Sequence, residues 1–121
     1  MASLLIAAPH GKLDSNIFFS MLKGAIAKID SLDEIVLREG NTLAERWAID
    51  YANKNGIQYR LFPAYWKKEG EWAGLHRNQQ LTMIIDYGLV FWDGFNKDIR
   101  YLLNELKRTK IPTKLVILEM H

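Results

Sequence analysis

The sequence predicts an α/β fold, a three-layer Rossmann-like sandwich of about five mainly parallel strands with helices on both faces of the sheet. Apolar runs of strand length recur along the chain, and a segment with helical spacing separates each run from the next. Parallel neighbours require long crossover connections, and helices in those connections cover both faces. The apolar runs are residues 4–8, 34–37, 57–62, 87–92 and 114–118.

The first two helices have recognisable starts. Asp14 or Ser15 is available as an N-cap for the first, whose apolar residues Phe18, Leu22, Ala25 and Ile29 share one face. Thr42 and Glu45 have capping-box spacing and predict the start of the second. In that helix Leu43, Trp47 and Tyr51 follow at four-residue steps, before Asn55 and Gly56 end it.

Two further helices are predicted in the second half of the chain. The segment 71–86 is less regular, but one face can hold Ala73, Arg77, Leu81 and either Ile84 or Ile85. The last helix opens at Asn96 and ends with Lys107 and Arg108, and its apolar stripe consists of Ile99, Leu102, Leu103 and Leu106.

Length and composition limit the classes of function. The 121 residues predict a single domain, residues 1–121, with an ordinary hydrophobic fraction of 49%. A net charge of +2 is too small for the basic field that non-specific nucleic-acid binding needs, so nucleic acid is not an expected partner. The absence of cysteine excludes disulfides and thiolate chemistry. No apolar run reaches the ~20 residues of a membrane span, so no membrane partner and a cytoplasmic location are expected.

In such sheets ligands bind beyond the carboxyl ends of the strands, where the strand order reverses. Residues 73–78 follow one of these ends and contain Gly74, Arg77 and Asn78 near a predicted helix start. Free backbone N–H groups, a guanidinium fork and an amide there suit a phosphate, a carboxylate or a ribose diol. The alternative is a surface ion pair for Arg77 and a water-facing Asn78.

Other candidates lie at the same edge of the sheet. Trp66 and Trp72 either stack on a base or pack their loop onto the body of the protein. After the fourth strand, Gly94 permits a tight turn. Asp93 either contacts a ligand or forms the turn. Asp98 either contacts a ligand or interacts with the dipole of the following helix.

The first strand is followed by His10, which is at the correct edge for a ligand. Neither His10 nor His76 has Asp or Glu at a recognisable metal spacing, so no metal is predicted. No cofactor is predicted either. The segment 38–42 has one glycine and matches neither the P-loop nor the dinucleotide-binding pattern.

Four motifs occur in an order that is similar to a known family. They are LAERWA at 43–48, FPAYW at 62–66, AGLHRN at 73–78 and FWDG at 91–94. In this order and spacing the chain resembles the YspA-like branch of the SLOG superfamily, a Rossmann-like group that includes the DprA and LOG proteins. The resemblance covers most of the chain.

The resemblance implies a nucleotide or nucleotide-derived ligand at the strand edges, with Gly74, Arg77, Asn78 and Gly94 in or beside the pocket. Two departures stand against the family's usual phosphate contacts and suggest a changed ligand. The glycine-rich turn before the second helix has shrunk to residues 39–42, and Tyr65 replaces the usual Asp.

Two other classes of function stay open. The first is enzymatic, because LOG relatives cleave an N-glycosidic bond of nucleoside monophosphates. Their PGGxGTxxE signature corresponds here to WDGFNKDIR, which lacks its glycine pairs. The candidate carboxylates for such a reaction are Asp98, Asp93 and Glu45. The other class is a degenerate SLOG fold that binds another protein. The resemblance also implies pairing of two copies through their helices, as a homodimer.

Overall fold

The computed structural model describes residues 2–64 and 70–118. Its five strands, all parallel, form one sheet in the order β3-β2-β1-β4-β5. The strands are β1 (Ser3–Ala7), β2 (Glu34–Leu37), β3 (Gln58–Leu61), β4 (Tyr87–Trp92) and β5 (Thr113–Ile117). The helices within these ranges are α1 (Ser15–Ala27), α2 (Leu43–Lys54), α3 (Ala73–Thr82) and α4 (Lys97–Arg108), and a 3-10 turn lies at Gly70–Trp72. The predicted α/β fold class is confirmed.

Side chains of each strand point alternately to the two faces of the sheet, so both faces are apolar and helices cover both. Leu4 and Ile6 of β1 pack in a core with residues of α1 and α2, such as Phe18. Leu5 and Ala7 pack on the other face with residues of α3 and α4, such as Leu81. The strand order therefore reverses between β1 and β4, and this switch point is where an open α/β sheet forms its ligand crevice.

The helix starts follow the predicted caps. Asp14 caps α1 by accepting hydrogen bonds from the backbone N–H groups of Asn16 and Ile17. Thr42 and Glu45 form the capping box of α2, and Asn96 accepts the N–H of Ile99 at the start of α4. Each cap satisfies backbone donors that a helix start otherwise leaves unpaired.

The buried face of α2 differs from the predicted stripe of large residues. Ala44, Ala48 and Ala52 are buried against the sheet, whereas Leu43 is exposed and the aromatic side chains of the stripe only flank the core. Alanines lack bulk beyond Cβ, so they let the helix axis lie close to the strands. The large residues then pack at the sides, where Trp47 contacts Phe18 with ring centroids 5.5 Å apart.

Within the described ranges, no helix has both the length and the apolar composition needed to cross a membrane.

Candidate functional site

A cavity of about 410 Å³ lies at the carboxyl ends of the strands, and we call it the switch-point cavity. It is lined by the loop after β1 (Ala8, Pro9, His10), the loop after β2 with the start of α2 (Arg38, Glu39, Asn41, Thr42, Glu45), Arg77 of α3, and the start of α4 (Asn96, Asp98). Its volume falls within the range of roughly 300–1,000 Å³ typical of small-molecule sites. The cavity is therefore where the fold predicts a ligand.

The β2–α2 wall of the cavity is built around the buried carboxylate of Glu45. Its Oε2 accepts the backbone N–H groups of Arg38 at 2.8 Å and Gly40 at 3.1 Å. Its Oε1 accepts the hydroxyl of Thr42 at 2.8 Å and, at 3.4 Å, the N–H of the same residue. This carboxylate holds the strand end and the helix start together, and its acceptor capacity is largely used inside the protein.

Gly40 allows the backbone to turn toward Glu45. Its φ is +79°, in the left-handed region that L-residues rarely adopt. A Cβ at this position would also meet Cδ2 of Leu61 at 2.9 Å, a contact that the exposed Leu61 side chain can relieve by moving. The positive φ therefore explains why glycine suits the shortened loop, although the loop has no phosphate-binding motif.

Two arginines lie behind two carboxylates in the cavity. Nη1 of Arg77 donates to Oε1 of Glu39 at 2.8 Å, and its Nη2 approaches Oδ1 of Asp98 at 3.3 Å. Nη1 of Arg38 donates to Oδ2 of Asp98 at 2.6 Å. Asp98 thus bridges the two guanidinium groups, and Arg77 bridges the two carboxylates.

The exposure of these four side chains is unequal. The arginine side chains are almost buried, at 3% for Arg77 and 6% for Arg38, whereas Glu39 is 32% and Asp98 46% exposed. Burial, followed by repulsion from Arg38, lowers the pKa of the Arg77 guanidinium from its ordinary value, and the nearby carboxylates oppose this shift. The charged groups most accessible from solvent are consequently the carboxylates.

Asn78 is next to Arg77 in the sequence but is fully buried and is not among the cavity-lining residues. Neither of its side-chain polar atoms has a hydrogen-bond partner among the described residues, and the same holds for Nε of Arg77. The alternative in which Asn78 faces water is excluded, because α3 packs this side chain into the interior. An unpaired buried polar group lowers the stability of a protein by about 1–3 kcal/mol, so these atoms of α3 reduce stability on this side of the cavity.

The other predicted residues take different places. His10 lines the cavity and is exposed. Gly74 is buried in the first turn of α3 and Trp72 is 71% exposed at the end of the 3-10 turn; neither lines the cavity. Trp66, like Tyr65, lies outside the described residues.

Asp93 and Gly94 form the turn between β4 and α4, outside the cavity lining. Oδ1 of Asp93 accepts the N–H groups of Phe95 and Asn96, both at 2.8 Å. These hydrogen bonds, the one from Asn96 first, lower the pKa of the Asp93 carboxyl below its ordinary value. The φ of Gly94 is +86°, which explains why glycine suits the turn.

Sequence reasoning did not select Arg38, Glu39, Asn41, Thr42 or Asn96 as site residues, although all of them line the cavity. Their position could have indicated them, since each follows the carboxyl end of a parallel strand. They were missed because they belong to no recognised phosphate-binding motif.

The described part of the chain contains no group of three or more His, Cys, Asp or Glu side chains that could hold a metal ion. No protein-family model, curated protein or solved structure matches the chain. The resemblance to the SLOG superfamily therefore stays a prediction from the four motifs.

Proposed function

We propose that this chain binds a nucleotide or nucleotide-derived small molecule in the switch-point cavity, as a sensor or sequestering protein. The observation that carries the proposal is the convergence on one cavity, at the reversal of strand order, of polar and charged side chains that follow β1, β2 and β4 and of Arg77 from α3. That position is where open parallel sheets hold nucleotides and related ligands.

The chemistry of the lining is also suited to such a ligand. Carboxylates accept hydroxyl hydrogens, guanidinium groups donate, and Asn41 and Asn96 offer amides that do both. A nucleoside presents hydroxyls on its sugar and donors and acceptors on its base. A cytoplasmic location and a homodimer belong to the same proposal.

Arg77 is the residue on which this function depends, because it connects the carboxylates of Glu39 and Asp98. Calorimetry with a panel of nucleosides, nucleotides and dinucleotides tests the proposal. We expect at least one member to bind with a Kd below about 100 µM, and Arg77→Ala to weaken that binding by roughly 10–100-fold, about 1.4–2.8 kcal/mol.

Arg60→Ala is the matched control. It also removes an arginine ion pair, between Arg60 of the edge strand β3 and Glu34 of β2, but that pair lies outside the cavity. Circular dichroism establishes whether both variants are folded before titration. Absence of binding across the panel, or equal affinity in the folded Arg77→Ala protein, would contradict the proposal.

A second candidate function is hydrolysis of an N-glycosidic bond, which is favoured by the half-exposed carboxylate of Asp98 in the cavity. In that reaction water adds to the anomeric carbon, and the electron pair of the broken C–N bond leaves with the base, which takes up a proton. Asp98 would stabilise the positive charge that develops on the sugar. Glu45 is less suited to this role because its oxygens already accept internal hydrogen bonds.

Chromatographic detection of free base from the same nucleotide panel tests the second candidate. We expect release to stop in Asp98→Asn and to continue in Glu105→Gln, a control on the same helix whose carboxylate pairs with Arg108 instead. A lack of release by the wild-type protein would remove hydrolysis and leave binding.

A further inference from the structure

The charged side chains that line the cavity disfavour a phosphate group in the ligand. Among the described residues that line the cavity, the three carboxylates of Glu39, Glu45 and Asp98 accompany the two guanidinium groups of Arg38 and Arg77, so the formal charge of this part of the lining is negative. A phosphate that enters from solvent meets the exposed carboxylates before it reaches an arginine.

Both arginines are also already paired with carboxylates. Nη1 and Nη2 of Arg77 donate to Glu39 and Asp98, and Nη1 of Arg38 donates to Asp98. A phosphate that bound a remaining N–H of either guanidinium, on a side chain only 3% or 6% exposed, would lie beside the carboxylate that pairs with that arginine, with a like charge.

The exposed carboxylates are suited to a different group. Oxygens of Glu39 and Asp98 that retain accepting capacity can take two hydroxyl hydrogens, and the guanidinium groups fix the orientation of both acceptors. Adjacent hydroxyls are what the ribose of a nucleoside presents. Hydroxyl binding keeps every observed ion pair intact.

We infer that the switch-point cavity binds the uncharged, hydroxyl-bearing part of its ligand, a ribonucleoside diol, through Glu39 and Asp98, and discriminates against phosphate. This inference rests on the proposed function, which it narrows from nucleotides in general to nucleosides and their uncharged derivatives. In this arrangement Arg38 and Arg77 are positioning residues for the two carboxylates.

Calorimetry on the wild-type protein tests the inference without any variant. The probes are adenosine, guanosine, cytidine and uridine, each with its 5′-monophosphate, its 5′-diphosphate and its 2′,3′-dideoxy form. We expect the ribonucleoside of the preferred base to bind most tightly, each phosphate to weaken binding on the order of fivefold, and loss of both hydroxyls to weaken it by about tenfold or more.

Two variants test the named residues. Glu39→Gln and Asp98→Asn each remove a negative charge and release a guanidinium, so the ratio of monophosphate to nucleoside Kd should fall about fivefold in each. Glu105→Gln, which removes an acidic charge at the far end of α4, should leave that ratio unchanged.

The outcomes separate this inference from the proposed function. Equal or tighter binding of the phosphorylated form by the wild-type protein would overturn the diol inference while leaving nucleotide binding intact. Equal affinity for the ribonucleoside and its 2′,3′-dideoxy form would do the same. Failure of every probe, together with the wider panel above, would overturn both.

Discussion

The helices α2 and α3 border the same cavity, yet their beginnings are constructed differently. At the start of α2 the side chains of Thr42 and Glu45 satisfy one another and the surrounding backbone. At the start of α3 no side chain caps the helix, and Asn78 and Nε of Arg77 are buried without partners among the described residues. Stable proteins pair most of their buried polar groups. The paired groups on the α2 side of the cavity therefore stabilise the protein, whereas the unpaired groups on the α3 side reduce its stability.

This comparison suggests how the site is organised. The α2 wall holds Arg38 and Glu39 at the strand end through the network of Glu45, and the α3 wall brings Arg77 against Glu39. Polar groups that are unpaired in the interior are one signature of a site where function outweighs stability. The predictions below begin with the largest expected effect on stability: the first three change residues of α2 or α3, and the last two change the turn before α4 and the exposed ring before α3.

Removal of the Glu45 carboxylate should have the largest effect. Glu45→Ala leaves the N–H groups of Arg38 and Gly40 and the hydroxyl of Thr42 without their acceptor in a buried setting. We expect the free energy of unfolding to fall by about 3 kcal/mol, which urea denaturation measures. The exposed pair on α4 provides the control: Glu105→Ala should cost no more than about 1 kcal/mol. Similar losses in the two variants would show that the α2 network is no stronger than a surface pair.

The α3 wall should respond in the opposite direction. Asn78→Leu replaces an amide that has no partner among the described residues by an apolar side chain of comparable shape, so the free energy of unfolding should rise by roughly 1 kcal/mol. Thermal and urea unfolding provide the measurement. A loss of stability would mean that the amide makes a favourable interaction in solution and that the comparison of the walls is mistaken.

Ligand binding by the Asn78→Leu variant tests whether Asn78 has a functional role. If Asn78 is retained for function, as the sequence predicts, Asn78→Leu should bind a nucleoside at least fivefold more weakly, or about 1 kcal/mol, despite its greater stability. A suitable control is Leu75→Asn, which places an amide on the exposed side of the same helix. Unchanged affinity in Asn78→Leu would remove this residue from the site.

The turn before α4 should contribute a smaller, pH-dependent stability. Because the folded-state pKa of Asp93 is lowered, mainly by the N–H groups of Asn96 and Phe95, its contribution is present at neutral pH and is lost as pH falls through that pKa. Its unfolded-state pKa is ~3.9, so the loss begins as the pH approaches about 4. Urea denaturation from pH 7 to pH 2.5 should show a shallower decline for Asp93→Ala than for the wild type. Parallel curves would contradict this assignment.

Trp72 should have the smallest effect on stability. Its side chain is 71% exposed beside the uncapped start of α3, so Trp72→Ala should change the free energy of unfolding by less than about 0.5 kcal/mol. If Trp72 stacks on a base, as the sequence allows, calorimetry should show a loss of ~1–3 kcal/mol in binding. An affinity equal to that of the wild type would assign the exposed ring to another role.

Local sequence patterns predicted much of the fold. The apolar runs lie within two residues of the observed strands, and the caps at Asp14, Thr42 and Asn96 begin three of the four helices. Such features depend on neighbours a few residues apart, so they can be read without knowledge of the tertiary structure. The reversal of strand order also followed, because helices must cover both faces of a parallel sheet.

What only the tertiary structure decided is which charged groups meet. Arg77 contacts Glu39 from 38 residues away in the chain, and Arg38 contacts Asp98 from 60 residues away. No local pattern specifies such pairs, since they arise when the ends of distant parallel strands come together at one edge of the sheet. The sequence therefore predicted Arg77 as a site residue, whereas the folded chain determined that its guanidinium is paired with carboxylates.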